Sequence, residues 1–237
     1  MTTHASSRAT TELYGGADPR DLPRYSYSEA ARATSVPATT IAAWVRGQGY
    51  SRKKGKGFFR PVIARPGEGR LSFYNLIEVH VLRSLRTRHA IQLQHVREAA
   101  AIAEAKYDIP KLLLSEQLRF GAGDLFLEQY GRIVQLSRAE QLAMQSILNR
   151  HLGRIQFEHD GLPKGFSPLE RLESTERTLL LISPTISFGR PIVRRVGVTT
   201  RAIADRINAG ESAESVCVDY ELERDELTEA LAYESAA

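Results

Sequence analysis

The sequence predicts a mainly α-helical chain with small β elements, in which a polar tail precedes three folded parts. Apolar residues recur at helical spacing along most of the chain, and two such stretches open on a serine followed three residues later by a glutamate. Short apolar stretches interrupted by Gly and Pro leave room only for brief strands. The charge also changes along the chain, with a net +8 over residues 1–110, zero over 111–186 and −4 over 187–237. Ends of opposite sign indicate different partners for the two ends.

Composition narrows the class of protein. The chain has 237 residues, of which 42% are hydrophobic and 25% charged, as in ordinary globular proteins. No apolar run is long enough for a transmembrane helix, and the N-terminus lacks the apolar segment of a secretory signal. Cys217 is the single cysteine, which excludes an internal disulfide and a thiolate zinc site. We therefore expect a cytoplasmic protein that does not bind membranes.

The first folded part, residues 23–110, begins with two short helices. Residues 1–22 are rich in Ser, Thr, Ala and Gly and are predicted to be a disordered tail. Ser26 and Glu29 have capping-box spacing at the start of the first helix, and Pro37 suits the first position of the second. In the second helix we expect a buried stripe of Ile41, Trp44 and Val45, with Thr39, Thr40 and Arg46 on the outer side. Two helices joined by a tight turn are typical of a helix-turn-helix.

A basic, glycine-rich stretch follows the helix pair. Residues 46–70 carry eight Lys or Arg against Glu68 alone, a net charge of +7. Phe58, Phe59, Val62 and Ile63 indicate strand, and the turn is expected at Pro66–Gly69, which together predict a β-wing. Amphipathic helices are predicted at about 73–88 and 92–106, with an end at Pro110.

These features predict a DNA-binding surface. Lys and Arg neutralise phosphates, and Arg and Thr can contact guanine and thymine edges in the major groove. The residues assigned to DNA are Thr39, Thr40, Arg46, Arg52, Lys53, Lys54, Lys56 and Arg60. Four to six phosphate contacts in each head predict a log–log salt slope of roughly −4 to −5. The alternatives are a solvated loop for the basic stretch and plain helix-surface residues for the threonines.

The segments YSYSEAARATSVPATTIAAWVRG and RLSFYNLIEVHVLRSLRTRHAIQLQHVREA resemble the MerR-type winged helix-turn-helix family. The resemblance covers about residues 25–105 and implies a winged DNA-binding head. Two features depart from the family pattern. The basic wing is longer than usual, and no long dimerising helix follows residue 106.

The second part, residues 111–176, is predicted to be an α/β connector and a candidate dimer surface. Leu125, Leu127, Ile133 and Val134 suggest a hairpin that turns around Tyr130-Gly131. Ser137 and Glu140 open a helix at about 138–150, and Ile155 and Phe157 form a short strand. A polar linker is expected over residues 166–175.

The third part, residues 177–237, is predicted to end in a three-helix bundle. Its helices are expected at 199–209, 212–219 and about 223–233, with caps at Thr199 or Thr200 and at Ser212. The third helix carries Glu223, Asp225, Glu226 and Glu229 against one arginine. Because acids repel a polyanion, docking of a protein is expected there rather than contact with DNA.

This part is similar to a bacterial antitoxin family that contains a small domain of formerly unknown function. The matching positions are Pro184, Gly189, Pro191, Gly210, Asp219, Tyr220, Ala230, Leu231 and Tyr233. Cys217 and the Arg194-Arg195 pair depart from the pattern. The resemblance implies a VapB-type antitoxin that partners a PIN-type ribonuclease toxin, whose metal-binding carboxylates attract antitoxin arginines. The candidates for toxin binding are Arg190, Arg194, Arg195 and Arg201; alternatively, these are surface residues or form pairs within the chain.

The combined prediction is a homodimeric antitoxin that binds operator DNA to repress its own operon. A MerR-like regulator answering a small effector, with the C-terminal domain as its sensor, is the alternative, and a plain interaction scaffold is the third possibility. The sequence contains no GxSxG, P-loop, GxGxxG or HExxH pattern. No catalytic residue, cofactor or metal is therefore predicted, and we expect the protein not to be an enzyme.

Overall fold

The computed structural model describes residues 14–52, 55–64, 67, 69–85, 93–168 and 178–236. Within these ranges the chain is mostly helical, with nine α-helices and three two-stranded antiparallel sheets. This confirms the predicted fold class. None of the helices described is long and apolar enough to cross a membrane.

The first two helices have the predicted form. Helix α1 spans Tyr27–Thr34 and α2 spans Ala38–Arg46. The capping box is present, since the Glu29 amide donates to Ser26 Oγ (3.2 Å) and the Ser26 amide donates to Glu29 Oε2 (2.7 Å). Pro37 lies one position before α2 rather than at its first residue. Ile41, Trp44 and Val45 are buried as predicted, so the aromatic ring of Trp44 belongs to the core.

The hairpin lies earlier in the chain than predicted. Strand β1, Gln48–Arg52, pairs with β2, Gly55–Phe59. Val62 and Ile63, which we expected in the strand, instead donate their amides to the Trp44 carbonyl at 2.8 and 3.1 Å. Pro61 explains the early end of β2, because proline cannot donate to a strand ladder. Of the predicted Pro66–Gly69 turn, residues 66 and 68 lie outside the described residues.

Helix α3, Phe73–Ser84, runs through the middle of the core and buries ten of its twelve residues. The prediction extended this helix to residue 88; it ends at Ser84, and residues 86–92 lie outside the described part. Helix α4 follows at Leu93–Tyr107, within a residue of the predicted bounds. Mutual main-chain hydrogen bonds between Tyr25 and Leu71 tie the segment before α1 to the segment before α3.

The predicted hairpin around Tyr130-Gly131 is wrong. Two short 3₁₀ turns, Leu112–Leu114 and Glu116–Arg119, lead into helix α5 at Gly121–Ile133. The buried residues fall in pairs four apart, at 122–123, 126–127 and 130–131, which is helical spacing. A Cβ at Gly131 would lie 2.7 Å from the Gln141 side chain, so this glycine permits close helix packing rather than a turn.

Helix α6, Arg138–Leu152, and the hairpin of β3, Ile155–Phe157, with β4, Pro163–Phe166, complete the connector. The capping box of Ser137 and Glu140 and the strand at Ile155 are as predicted. Part of the predicted tail also packs here. The Arg20 guanidinium lies 2.8 Å from Asp18 and 3.1 Å from Asp160 at the β3–β4 turn. Residues 14–22 are thus held by contacts, in contrast to the prediction, and residues 1–13 lie outside the described part.

The C-terminal part begins with strand β5, Leu180–Leu181, which pairs with β6, Ile192–Val193. The three predicted helices are present as α7, Thr200–Asn208, α8, Ala213–Tyr220, and α9, Arg224–Ser235. Thr199 and Ser212 cap α7 and α8 as predicted. Cys217 is half-buried at the edge of this bundle.

Buried His80 and half-buried His151 lie where α3, α6 and β4 meet. The His80 ring is 4.9 Å from the His151 ring and 4.6 Å from the Phe166 ring, and its Nε2 lies 2.9 Å from the His151 carbonyl oxygen. Burial, followed by the charges of His151, Arg154 and Arg83, lowers the pKa of His80 to about 3. Between pH 3 and 6.5 the unfolded chain therefore binds a proton that the folded chain does not.

We expect His80 to make the fold acid-sensitive. The contribution of His80 to the unfolding free energy is fully present above pH 6.5 and decreases as the pH falls from 6.5 towards 3. The decrease between pH 7 and pH 5 is about 2 kcal/mol. Burial raises the pKa of Glu78 to about 7, which gives a slope of the opposite sign. The measurement is therefore the difference in urea-unfolding free energy between wild type and His80→Gln at each pH. Exposed His159→Gln is the control, and a pH-independent difference for His80→Gln contradicts the prediction.

Candidate functional sites

The helix pair and hairpin form the candidate DNA-binding surface. Thr39 and Arg46 are exposed on α2, and Thr40 is half-buried. An α-helix with its side chains is roughly 10–12 Å across, which fits a major groove roughly 12 Å wide. The Arg46 guanidinium lies 5.0 Å from the centre of the Tyr27 ring on α1, so a cation–π contact positions this arginine.

The predicted phosphate contacts lie on the adjacent hairpin. In its backbone register Arg52 is opposite Gly55 and Lys56 is opposite Ser51. Lys53 and Lys54 lie outside the described residues. Arg60 is exposed directly after β2. The fold thus places the predicted residues that it describes on α2 and on the hairpin that immediately follows it.

Arg97 is an additional basic residue that sequence analysis missed. Its guanidinium, on α4, donates to the main-chain carbonyls of Arg60 (2.6 Å) and Pro61. Partial burial, followed by the charge of Arg60, lowers the pKa of Arg97. Only the fold brings residue 97 next to the hairpin, and nothing in its local sequence distinguishes it from other helix-surface arginines.

The four candidate toxin-binding arginines differ in the contacts that they make within the chain. Arg194 donates to Ser167 Oγ (2.5 Å), and burial lowers its pKa. Arg201 pairs with Asp205 on the surface of α7 (2.8 Å). The side chain of Arg190 is exposed and has no ion pair with any residue that the structure describes.

Arg195 holds a buried carboxylate. Its Nε and Nη2 atoms donate to Glu226, at 3.0 and 2.7 Å, and Nη2 also donates to the Glu221 carbonyl. Glu226 is only 2% exposed and accepts the Glu223 amide at the start of α9 (2.8 Å). The hydrogen bond to Glu226 is the main cause of the raised pKa of Arg195. This arginine therefore serves to fix α9 within the bundle.

A third set of contacts joins the N-terminal helices to the C-terminal part. The Tyr25 hydroxyl donates to the Gly189 carbonyl (3.0 Å), and Arg32 on α1 pairs with Glu234 on α9 (2.7 Å). Glu234 also accepts the Thr200 hydroxyl (2.5 Å), which links α7 to the same junction. Sequence analysis missed this junction, because the N-terminal residues Tyr25 and Arg32 are more than 160 residues from their partners.

The structure of this junction explains why position 189 is a glycine. Its φ of +76° suits glycine, and a Cβ there would lie 2.4 Å from the Tyr25 hydroxyl oxygen. The glycine of the sequence motif is therefore required by a residue of the N-terminal part.

An open cleft of about 510 Å³ lies between α4, α5 and α6. Its polar residues include Asp124, Arg138 and Gln145, and Gln145 Nε2 donates to Asp124 Oδ1 (2.6 Å). The effector-binding alternative expected its sensor in the C-terminal domain, whereas this cleft is lined by α4 and by two helices of the connector.

Three comparisons relate the chain to known proteins. A family model described as "Protein of unknown function (DUF433)" matches residues 181–233. The chain is 26% identical over 231 residues to "Putative antitoxin VapB45" of Mycobacterium tuberculosis (strain ATCC 25618 / H37Rv), an alignment covering 89% of this chain and 93% of the relative. The crystal structure of Rv2018 from Mycobacterium tuberculosis has the same fold, with a TM-score of 0.65 at 21% identity, over 89% of this chain and 98% of that one.

These comparisons confirm part of the predicted resemblance. The matched family domain contains β5, β6 and the three C-terminal helices, where the antitoxin-like motif was identified. The similarity to a protein named as an antitoxin extends over nearly the whole chain, so it also includes the N-terminal helices and the connector.

We expect the Tyr25–Gly189 contact to behave as a coupled pair. Tyr25→Phe removes one buried hydrogen bond and should cost about 1 kcal/mol of unfolding free energy. Gly189→Ala introduces a strained φ and a clash, at a cost of about 2 kcal/mol or more. In the double variant the clash is relieved, so the combined cost should be smaller than the sum by at least 0.5 kcal/mol, roughly. Urea unfolding of all four proteins tests this, and strict additivity contradicts it.

Proposed function

We propose that this chain is a VapB-type antitoxin, which binds operator DNA through its N-terminal helices and hairpin and neutralises a PIN-type ribonuclease through its C-terminal domain. The observation that carries the proposal is the full-length similarity to a protein named as an antitoxin. A shared domain alone would leave the N-terminal half unexplained, whereas this similarity spans both halves.

The charge distribution supports a division of labour between the two ends. The basic end carries +8 over residues 1–110, and the C-terminal end carries −4 over residues 187–237. Positive charge attracts DNA through release of counterions, whereas an acidic helix bundle is repelled by it. The DNA-binding role therefore fits the N-terminal part, and protein docking fits the C-terminal part.

The geometry of the N-terminal part supports major-groove contact by α2. Thr39 and Thr40 lie in the first turn of that helix, where recognition helices contact bases. The hairpin and Arg60 follow directly and supply positive charge for the flanking phosphates. In a homodimer, two copies of this surface would bind half-sites about one helical turn apart.

Among the four candidate arginines, Arg190 is best suited to reach a toxin. Arg194, Arg195 and Arg201 already bond within the chain, to Ser167, Glu226 and Asp205 respectively. Arg190 is exposed with its guanidinium available, and a guanidinium pairs well with clustered carboxylates of a metal-dependent nuclease.

The effector-responsive regulator is the second candidate, and the cleft between α4, α5 and α6 is the observation that favours it. A small ligand bound there raises the melting temperature of the chain, by an amount that grows with the logarithm of the ligand concentration divided by its Kd. A ligand screen by thermal shift distinguishes this function from the antitoxin function.

We expect DNA binding to depend on the hairpin lysines and arginine. Replacing Arg52, Lys53 and Lys54 with Ala removes three phosphate contacts and should flatten the log–log salt slope by roughly 2 to 3. The measurement is the affinity for the chain's own promoter DNA at several salt concentrations. The control is the triple replacement of Arg132, Arg138 and Arg150, which removes the same charge from exposed positions on α5 and α6. An unchanged slope in the hairpin variant contradicts the assignment.

We expect the two functions to separate. The chain should co-elute with the protein encoded by the adjacent gene and abolish its toxicity on co-expression. The hairpin triple variant should still protect cells fully, because neutralisation is assigned to the C-terminal domain. Loss of protection in a hairpin variant that remains folded contradicts this division, and absence of a complex with the wild-type chain contradicts the antitoxin function itself.

A further inference from the structure

The loop before β6 presents an exposed apolar tip. Phe188 is 72% exposed and Ile186 is 43% exposed, on either side of Ser187 in the short 3₁₀ turn Ser187–Gly189. Large apolar side chains at this exposure bury little surface within the chain. We call these two residues the Phe188 tip.

The backbone at the tip is held in a conformation that does not suit phenylalanine. Ser187, Phe188 and Gly189 have φ values of +47°, +54° and +76°, so three consecutive residues are left-handed. Glycine adopts this region freely, whereas a bulky side chain is an outlier there. Since Phe188 gains little burial at this position, its presence is explained neither by packing nor by backbone preference. Strained residues of this kind concentrate at functional sites.

Residues from the N-terminal part fix the tip in place. Arg24 Nη1 donates to the Phe188 carbonyl (2.9 Å), and the Tyr25 hydroxyl donates to the next carbonyl, that of Gly189 (3.0 Å). The Tyr14 ring meets the Phe188 ring edge-on, with centroids 6.4 Å apart. A binding element that is already ordered loses less conformational entropy when it binds.

Positive charge flanks the tip. The Arg24 guanidinium lies 5.9 Å from the Phe188 ring, and exposed Arg190 follows two residues after it. Neither arginine has a carboxylate partner among the residues that the structure describes. The tip is therefore an aromatic ring next to two arginines that no acid of the described residues neutralises. The surface complementary to it is an apolar pocket bordered by carboxylates.

We propose that Phe188 is the anchor that inserts into such a pocket on the partner protein, with Arg24 and Arg190 facing the carboxylates at its border. This proposal rests on the proposed antitoxin function and names the contact through which that function is exerted. A nucleic acid is a poorer fit, because exposed Ile186 beside the Phe188 ring matches an apolar pocket rather than a stack of bases.

The variant Phe188→Gly separates binding from folding. Glycine accepts the left-handed φ without strain, which offsets its greater conformational entropy in the unfolded chain, so the urea midpoint of the variant should stay close to that of the wild type. Loss of a central aromatic anchor should weaken the complex with the adjacent gene's protein by at least tenfold, roughly. A purely structural role for Phe188 predicts the reverse, with a lower urea midpoint and unchanged affinity. The affinity is measured by calorimetry on the full-length chain.

Two further variants sharpen the test. Phe58→Ala removes a phenylalanine that is 60% exposed on the hairpin, and it should leave the affinity unchanged. Arg190→Glu places an acid opposite the proposed carboxylates, so it should weaken binding more at low salt than at high salt. A salt-independent effect of Arg190→Glu contradicts the proposed carboxylate border.

Each outcome decides between specific alternatives. If the wild-type chain forms no complex, the antitoxin function and the anchor are both overturned. If the wild type binds and Phe188→Gly binds equally well, only the anchor is overturned. Unchanged affinity with a smaller assembly by light scattering would make the tip a contact between copies of this chain. Unchanged affinity for the partner with weaker binding to the promoter DNA would make the tip a nucleic-acid contact.

Discussion

The Tyr25 hydroxyl and the Gly189 carbonyl form the contact on which the arrangement of the two ends depends. Tyr25 is fixed by main-chain hydrogen bonds to Leu71, which directly precedes the central helix α3. Its hydroxyl then reaches the C-terminal part, and burial raises the pKa of Tyr25, so it stays protonated as a donor. The proposed DNA-binding helices and the proposed partner-binding tip are thereby attached to one buried side chain.

This junction has a consequence for how the two proposed functions relate. Arg24 directly precedes Tyr25 and donates to the Phe188 carbonyl. Arg32 lies further along, on α1, and pairs with Glu234. The segment that enters helix α1 therefore lies directly against the Phe188 tip. Insertion of Phe188 into a partner's pocket would therefore bring that partner next to the segment that enters α1, without a relay through the connector.

The fold predicted from the sequence is correct where neighbouring residues decide the structure. The capping boxes at Ser26 and Ser137 and the buried stripe around Trp44 are fixed by nearby residues, and they appear as predicted. The prediction failed at Gly131, where the glycine accommodates Gln141 from another helix and was taken for a turn residue. The same limit applies to the sites, since Arg195 was a candidate for toxin binding until the fold placed it against buried Glu226.

Glycines 131 and 189 show why local sequence is ambiguous in this chain. Gly131 permits close packing within a helix, whereas Gly189 permits both a positive φ and the approach of a tyrosine from the other end of the chain. A glycine in the sequence shows only that a side chain is absent. The reason for its absence is the neighbouring residue that occupies the space, which only the fold reveals. At position 189 that partner is Tyr25, so the shape of the tip depends on residues from both ends of the chain. The Phe188 ring can then remain exposed because its backbone, unlike its side chain, is fully supported from within the fold.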